Sequence, residues 1–136
     1  MLKEGIDVFL PLVDDDAIDA IVRRDDGTFG LVQIKARSHE VKFGDAALFA
    51  DITHAQRGDY WFVFYSERLD LMWILTSEEF LSLSVQNKTG KNVGKRSIWF
   101  NGKRKDPKTG KTVEYCKPQW VQFLATDFSR IRASAG

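Results

Sequence analysis

A chain of 136 residues with 43% hydrophobic and 29% charged residues has the material for one buried core and excludes a wholly disordered polymer. No apolar run approaches the roughly 20 residues that cross a bilayer, Met1-Leu2-Lys3-Glu4 lacks a signal pattern, and the lone Cys116 excludes an intrachain disulfide, so a cytoplasmic setting is expected. The net charge of +1 conceals a split: residues 88–117 hold ten of the 20 Lys and Arg but two of the 19 Asp and Glu, a net of +8 against −7 elsewhere. Such a split suits a carboxylate site that takes a cation beside a surface that takes an anion.

Residues 6–13 are apolar and β-rich, with Pro11 marking an edge or irregular strand, and Asp14-Asp15-Asp16 reads as a solvated turn. Residues 18–24 form the next expected strand. Asp25-Asp26-Gly27 is the strongest hairpin signal in the chain, and residues 29–37 are the returning strand. After a polar connection, Ala46, Ala47, Phe49, Ala50 and Ile52 predict a short helix over residues 45–56, stopped by Gly58. Residues 60–65, all apolar or aromatic, read as a strand buried on both faces, and residues 70–75 as its successor. Thr76 or Ser77 is positioned to cap a helix that carries Glu78 and Glu79 in its first turn and Phe80, Leu81 and Leu83 on its apolar face.

Residues 87–111 turn rich in Gly, Lys and Asn, interrupted by Ser97-Ile98-Trp99-Phe100, and residues 105–110 look like a hairpin tip. Residues 119–125, around Trp120 and Phe123, return the chain to the body. The order β-β-β-α-β-β-α predicts an α/β fold with a mixed sheet. One domain is expected over 1–136, with a core at about 4–86, a basic excursion at about 87–117 and a return at 118–133.

Side chains alternate faces along a strand, so Gln33, Lys35 and Arg37 share a polar face, opposite Val32, Ile34 and Ala36. Reflection about a turn centred at residue 26 places Asp19 across from Gln33, at a Cβ distance of roughly 5 Å. A carboxylate, an amide oxygen and an ammonium form a set suited to phosphodiester hydrolysis. Asp19 and Gln33 offer hard oxygen ligands to Mg²⁺, and Lys35 offers a cation to charge developing on the phosphate. Other candidates read as structural. His39 and His54 have no cysteine near enough for zinc, Cys116 lacks a partner base, Asp7 falls in the first strand, and the aromatic run 60–65 is core.

Asp19, a 13-residue gap and Gln33-Ile34-Lys35 resemble the PD-(D/E)xK nuclease signature, in the variant with Gln in the acidic slot. Glu4-Gly5-Ile6-Asp7-Val8, Pro11 and Asp19-Ala20-Ile21-Val22 also resemble Holliday-junction-resolvase-like and restriction-endonuclease-like members, and the resemblance covers about residues 4–80. It implies a restriction-endonuclease-like mixed β-sheet flanked by helices, with the basic β-hairpin as an addition. It further implies a Mg²⁺- or Mn²⁺-dependent deoxyribonuclease with Asp19, Gln33 and Lys35 as catalytic residues and Asp19 and Gln33 as metal ligands. In the basic segment Lys91, Lys95, Arg96, Lys103, Arg104 and Lys105 are the expected DNA contacts, with Trp99 and Phe100 interleaved for base stacking. Cutting both strands is simplest with two sites, so a homodimer is one arrangement this reading allows. Gln33 lowers the charge at the cation, which leaves a second reading: a weakly active or inactive nucleic-acid-binding module on the same fold. The third is a subunit whose basic hairpin meets an acidic protein.

Overall fold

Around the Asp25-Asp26-Gly27 turn, strand β2 (Ala20–Arg23) folds back on β3 (Phe29–Arg37) in antiparallel register, Ala20 facing Val32 and Arg23 facing Phe29. The turn closes with Arg24 N donating to Thr28 O at 2.7 Å and Gly27 N to Arg24 O at 3.0 Å, and it needs the positive φ of 87° that glycine adopts without strain. The computed structural model describes residues 18–133 and the backbone of β1 (Val8–Phe9), which pairs antiparallel with β2. The rest of the expected first strand, Glu4, Asp7, Pro11 and the turn at Asp14-Asp15-Asp16 lie outside the described residues.

The expected helix over residues 45–56 is instead a strand, β4 (Leu48–Ile52). Its pairing partner is β8 (Arg96–Trp99), and the register shifts between Phe49 and Ile52, with Asp51 at a φ of 58°. That bulge sets two buried apolar residues three apart on one face, the spacing a helix would also give. β3 runs parallel to β5 (Tyr60–Ser66), and parallel neighbours need a crossover. Here the crossover passes through β4 in a second sheet.

The main sheet has the order β1-β2-β3-β5-β6-β11, with β6 (Leu71–Thr76) antiparallel to β5 and β11 (Leu124–Ala125) antiparallel to β6. The second sheet joins β4, β8 and β7 (Val85–Gln86), and β9 (Asn101–Lys105) pairs with β10 (Thr112–Cys116) as a two-stranded ribbon. The fold is therefore mixed α/β but mostly sheet. Among the described residues helices are few: α1 (Ser77–Leu83), α2 (Ser129–Ala133) and a 3-10 turn at Pro118–Phe123.

An aromatic core holds the second sheet and α1 against one face of the main sheet. Phe49 meets Phe64 at 4.9 Å, Phe62 meets Phe80 at 4.4 Å, and Trp73 stacks on Phe100 at 4.5 Å between ring centroids. α1 starts on a capping box, with Thr76 Oγ1 accepting from Glu79 N and Glu79 Oε1 accepting from Thr76 N. Its expected apolar face holds for Phe80 and Leu81 but not for Leu83, which is exposed beyond the end of the core. On the other face, buried Arg24 ties the hairpin to α2 through Ile131 O and to Asp59 Oδ1, at 3.2 and 2.9 Å.

Candidate active site

The β2–β3 register fixes where Asp19 falls. Its backbone N donates to Val32 O at 2.8 Å, and its Oδ2 accepts from Ile34 N at 2.8 Å. The carboxylate is thereby held against residues 32–34 of β3. Gln33 and Lys35 share one face of that strand, and the parallel pairing sets them beside Phe62 and Phe64. All three polar side chains are part-buried. Lys35 makes no hydrogen bond or ion pair among the described residues, so its ammonium is available to a ligand.

Tyr60 joins this set, although from sequence it reads only as a core aromatic. Its ring is buried, yet its hydroxyl donates to Gln33 Oε1 at 3.1 Å. Burial pushes the Tyr60 hydroxyl up to about 12; the Arg57 guanidinium opposes the shift and the Asp19 carboxylate adds to it. The hydroxyl therefore stays protonated and remains a donor. The guanidinium of Arg57 lies 4.7 Å from the Tyr60 ring centroid, and the His54 ring stacks on Tyr60 at 4.9 Å. His54 Nε2 meets Ser77 Oγ at 2.6 Å, and Ser77 Oγ also accepts from Arg57 N at 3.1 Å. Burial, then the Arg57 and Arg96 cations, hold His54 below its ordinary pKa.

The donor set suits a hard divalent cation. Asp19 has a second carboxylate oxygen beyond the one that Ile34 N occupies, and Gln33 Oε1 has a second lone pair beyond the one given to Tyr60. Asp19 is the lone carboxylate of this group, and the described residues contain no cluster of three His, Cys, Asp or Glu. A hollow of ≈ 520 Å³ lies on the opposite sheet face, lined by Ile34, Val63 and Met72 together with Tyr65, Asp70 and Thr126.

The basic segment divides in two. Lys91 and Lys95 lie in the turn region before β8, whereas Lys103, Arg104 and Lys105 are exposed on β9. Arg96 is turned inward, donating to Leu81 O and Ser84 Oγ at 3.1 and 3.3 Å, which occupies it structurally. Phe100 is fully buried against Trp73, so it offers no face to a base. Trp99 is 44% exposed but pinned, its Nε1 donating to Gly44 O and Asn101 Oδ1 and its ring lying 4.5 Å from Lys117 Nζ.

The chain is similar in structure to a bacterial homing endonuclease, I-Ssp6803I, with a TM-score of 0.54 and 21% identity over 90% of this chain and 77% of that one. The likeness is one of fold. No protein-family model matches the chain. No curated protein matches it either. No helix among the described residues is long and apolar enough to cross a membrane.

Proposed function

We propose that this chain is a metal-dependent endonuclease that hydrolyses DNA phosphodiester bonds at the Asp19, Gln33 and Lys35 face of the β2–β3 hairpin. One observation carries the reading: the hairpin register brings a fixed carboxylate and a tethered amide oxygen to the strand face that also bears Lys35. The shared fold with a homing endonuclease supports it.

Asp19 and Gln33 would hold Mg²⁺ or Mn²⁺, and when bound the cation polarises the phosphate and acidifies a water. The protein does the rest. Ile34 N fixes Asp19 Oδ2, and Tyr60 fixes Gln33 Oε1, so neither ligand must be ordered on binding. Lys35 balances negative charge that grows on the phosphate oxygens, beside an aromatic wall that screens it little.

The test is cleavage of supercoiled plasmid and branched DNA with Mg²⁺ or Mn²⁺. Asp19→Asn and Lys35→Ala should each reduce turnover by at least about a hundredfold while leaving metal-free DNA binding intact. Cleavage that survives both changes places the activity elsewhere. The isolated carboxylate favours one rival, a nucleic-acid-binding module without catalysis. Salt-sensitive DNA binding with no cleavage under any divalent metal selects that rival.

A further inference from the structure

The β9–β10 ribbon has two unlike faces. Its register pairs Lys103 with Glu114 and Lys105 with Thr112 on one face, and Arg104 with Val113 and Gly102 with Tyr115 on the other. The first face is fastened to the body. Glu114 accepts from Gly44 N, Ala46 N and Arg68, at 2.8, 3.2 and 2.7 Å, and buried Asn101 bonds Gly44 O and Ala47 N. The second face looks outward. Tyr115 lies across Gly102, where an added Cβ would meet the ring at 2.9 Å, and the Arg104 guanidinium lies 5.4 Å from that ring's centroid. Val113 is exposed beside it. The tip is tight, with Asp106 N donating to Lys111 O at 2.7 Å and Lys108 N to Asp106 Oδ1 at 2.9 Å.

A flexible basic arm would serve non-specific phosphate contact. A ribbon with a rigid base and an arginine stacked on an aromatic ring is preorganised, and a stacked guanidinium keeps its donor fork aimed. Two strands about 5 Å apart, with side chains, fill a major groove about 12 Å wide and are too broad for a minor groove of about 6 Å. We infer that the outer ribbon face, Arg104 on Tyr115 with Val113 alongside, reads base edges in the major groove of duplex DNA. Lys105, Lys108 and Lys111, toward the tip, then hold the flanking phosphates. Arginine suits the paired acceptors of guanine, and valine suits a thymine methyl. The inference takes its partner from the endonuclease reading and adds sequence recognition to it.

The experiment selects duplexes bound by the full chain from a randomised pool without divalent metal. It then compares the selected duplex with a scrambled one. Arg104→Ala and Arg104→Lys should lose about ten- to a hundredfold in affinity for the selected duplex, with little change on the scrambled one. Reselection with either variant should lose preference at one base position. Lys105→Ala should weaken both duplexes equally and lower the slope of log affinity against log salt by about 0.9. Arg104 variants that behave like Lys105→Ala, or a wild-type pool that binds without enrichment, overturn the inference and leave the nuclease reading standing. Base readout without cleavage by the wild type under Mg²⁺ or Mn²⁺ overturns the nuclease reading alone. Absence of any DNA binding overturns both. Thermal melting of the Arg104 variants confirms that each is folded.

Discussion

The Tyr60 hydroxyl donates to Gln33 Oε1, and an amide that must present oxygen to a cation gains from that bond in a specific way. A glutamine amide has an acceptor end and a donor end of nearly equal size. A protonated hydroxyl at 3.1 Å selects the acceptor end, and the pKa of about 12 keeps it protonated at any working pH. Tyr60→Phe should therefore leave the ring packed, cost about 1 kcal/mol of stability and let the amide rotate. Turnover should fall about tenfold, with a higher metal concentration needed for half activity and unchanged metal-free DNA affinity. An unchanged metal titration would remove Tyr60 from the site. The placement of Asp19, Gln33 and Lys35 relative to one another could be read from sequence because a two-strand turn and a period of two fix their faces. Tyr60 could not, because its position beside β3 depends on parallel pairing across a crossover of more than twenty residues.

Glu114 is, with buried Asn101, an anchor of the β9–β10 ribbon. Burial alone would raise the Glu114 pKa, but Arg68 and the Gly44 and Ala46 amides outweigh burial and hold it below its ordinary value. Its side chain is 4% exposed. Glu114→Ala leaves Arg68 with three carbonyl partners, strands two backbone amides and should cost about 3 kcal/mol in urea unfolding. The wild-type contribution is full above pH 4.5 and disappears as pH falls through the lowered folded value, so the wild-type and Glu114→Ala stability curves should converge in acid. A constant gap between the two curves would mean that the carboxylate acts by packing and not by charge. The tip of the ribbon was legible, from turn residues at 105–110. Its anchoring was not, since Arg68 and Glu114 are 46 residues apart. The element misread at residues 45–56 shows the same limit: a bulge at Asp51 imitates helical spacing, and only the partner strand β8 distinguishes the two.

For the molecule as a whole, the balance of charge and burial makes stability depend on pH through His54. This ring sits where α1, the approach to β5 and the aromatic core meet: it contacts Ser77, Tyr60, Phe62 and Phe80. Burial and the Arg57 and Arg96 cations lower its folded pKa below the ordinary 6.5. In acid the unfolded chain therefore takes up a proton before the folded chain does. Stability is complete above 6.5 and declines as pH falls from there toward the folded pKa. The urea midpoint should accordingly drop as pH falls below 6.5, and His54→Gln, which keeps a polar partner for Ser77, should flatten that drop at some cost in overall stability. Because His54 stacks on the tyrosine that steers Gln33, the same acid range should weaken DNA cleavage in the wild type. A cleavage profile that falls below pH 6.5 in the wild type and stays level in His54→Gln would connect the core histidine to the hairpin face; identical urea profiles in the two proteins would show that His54 does not control the pH response.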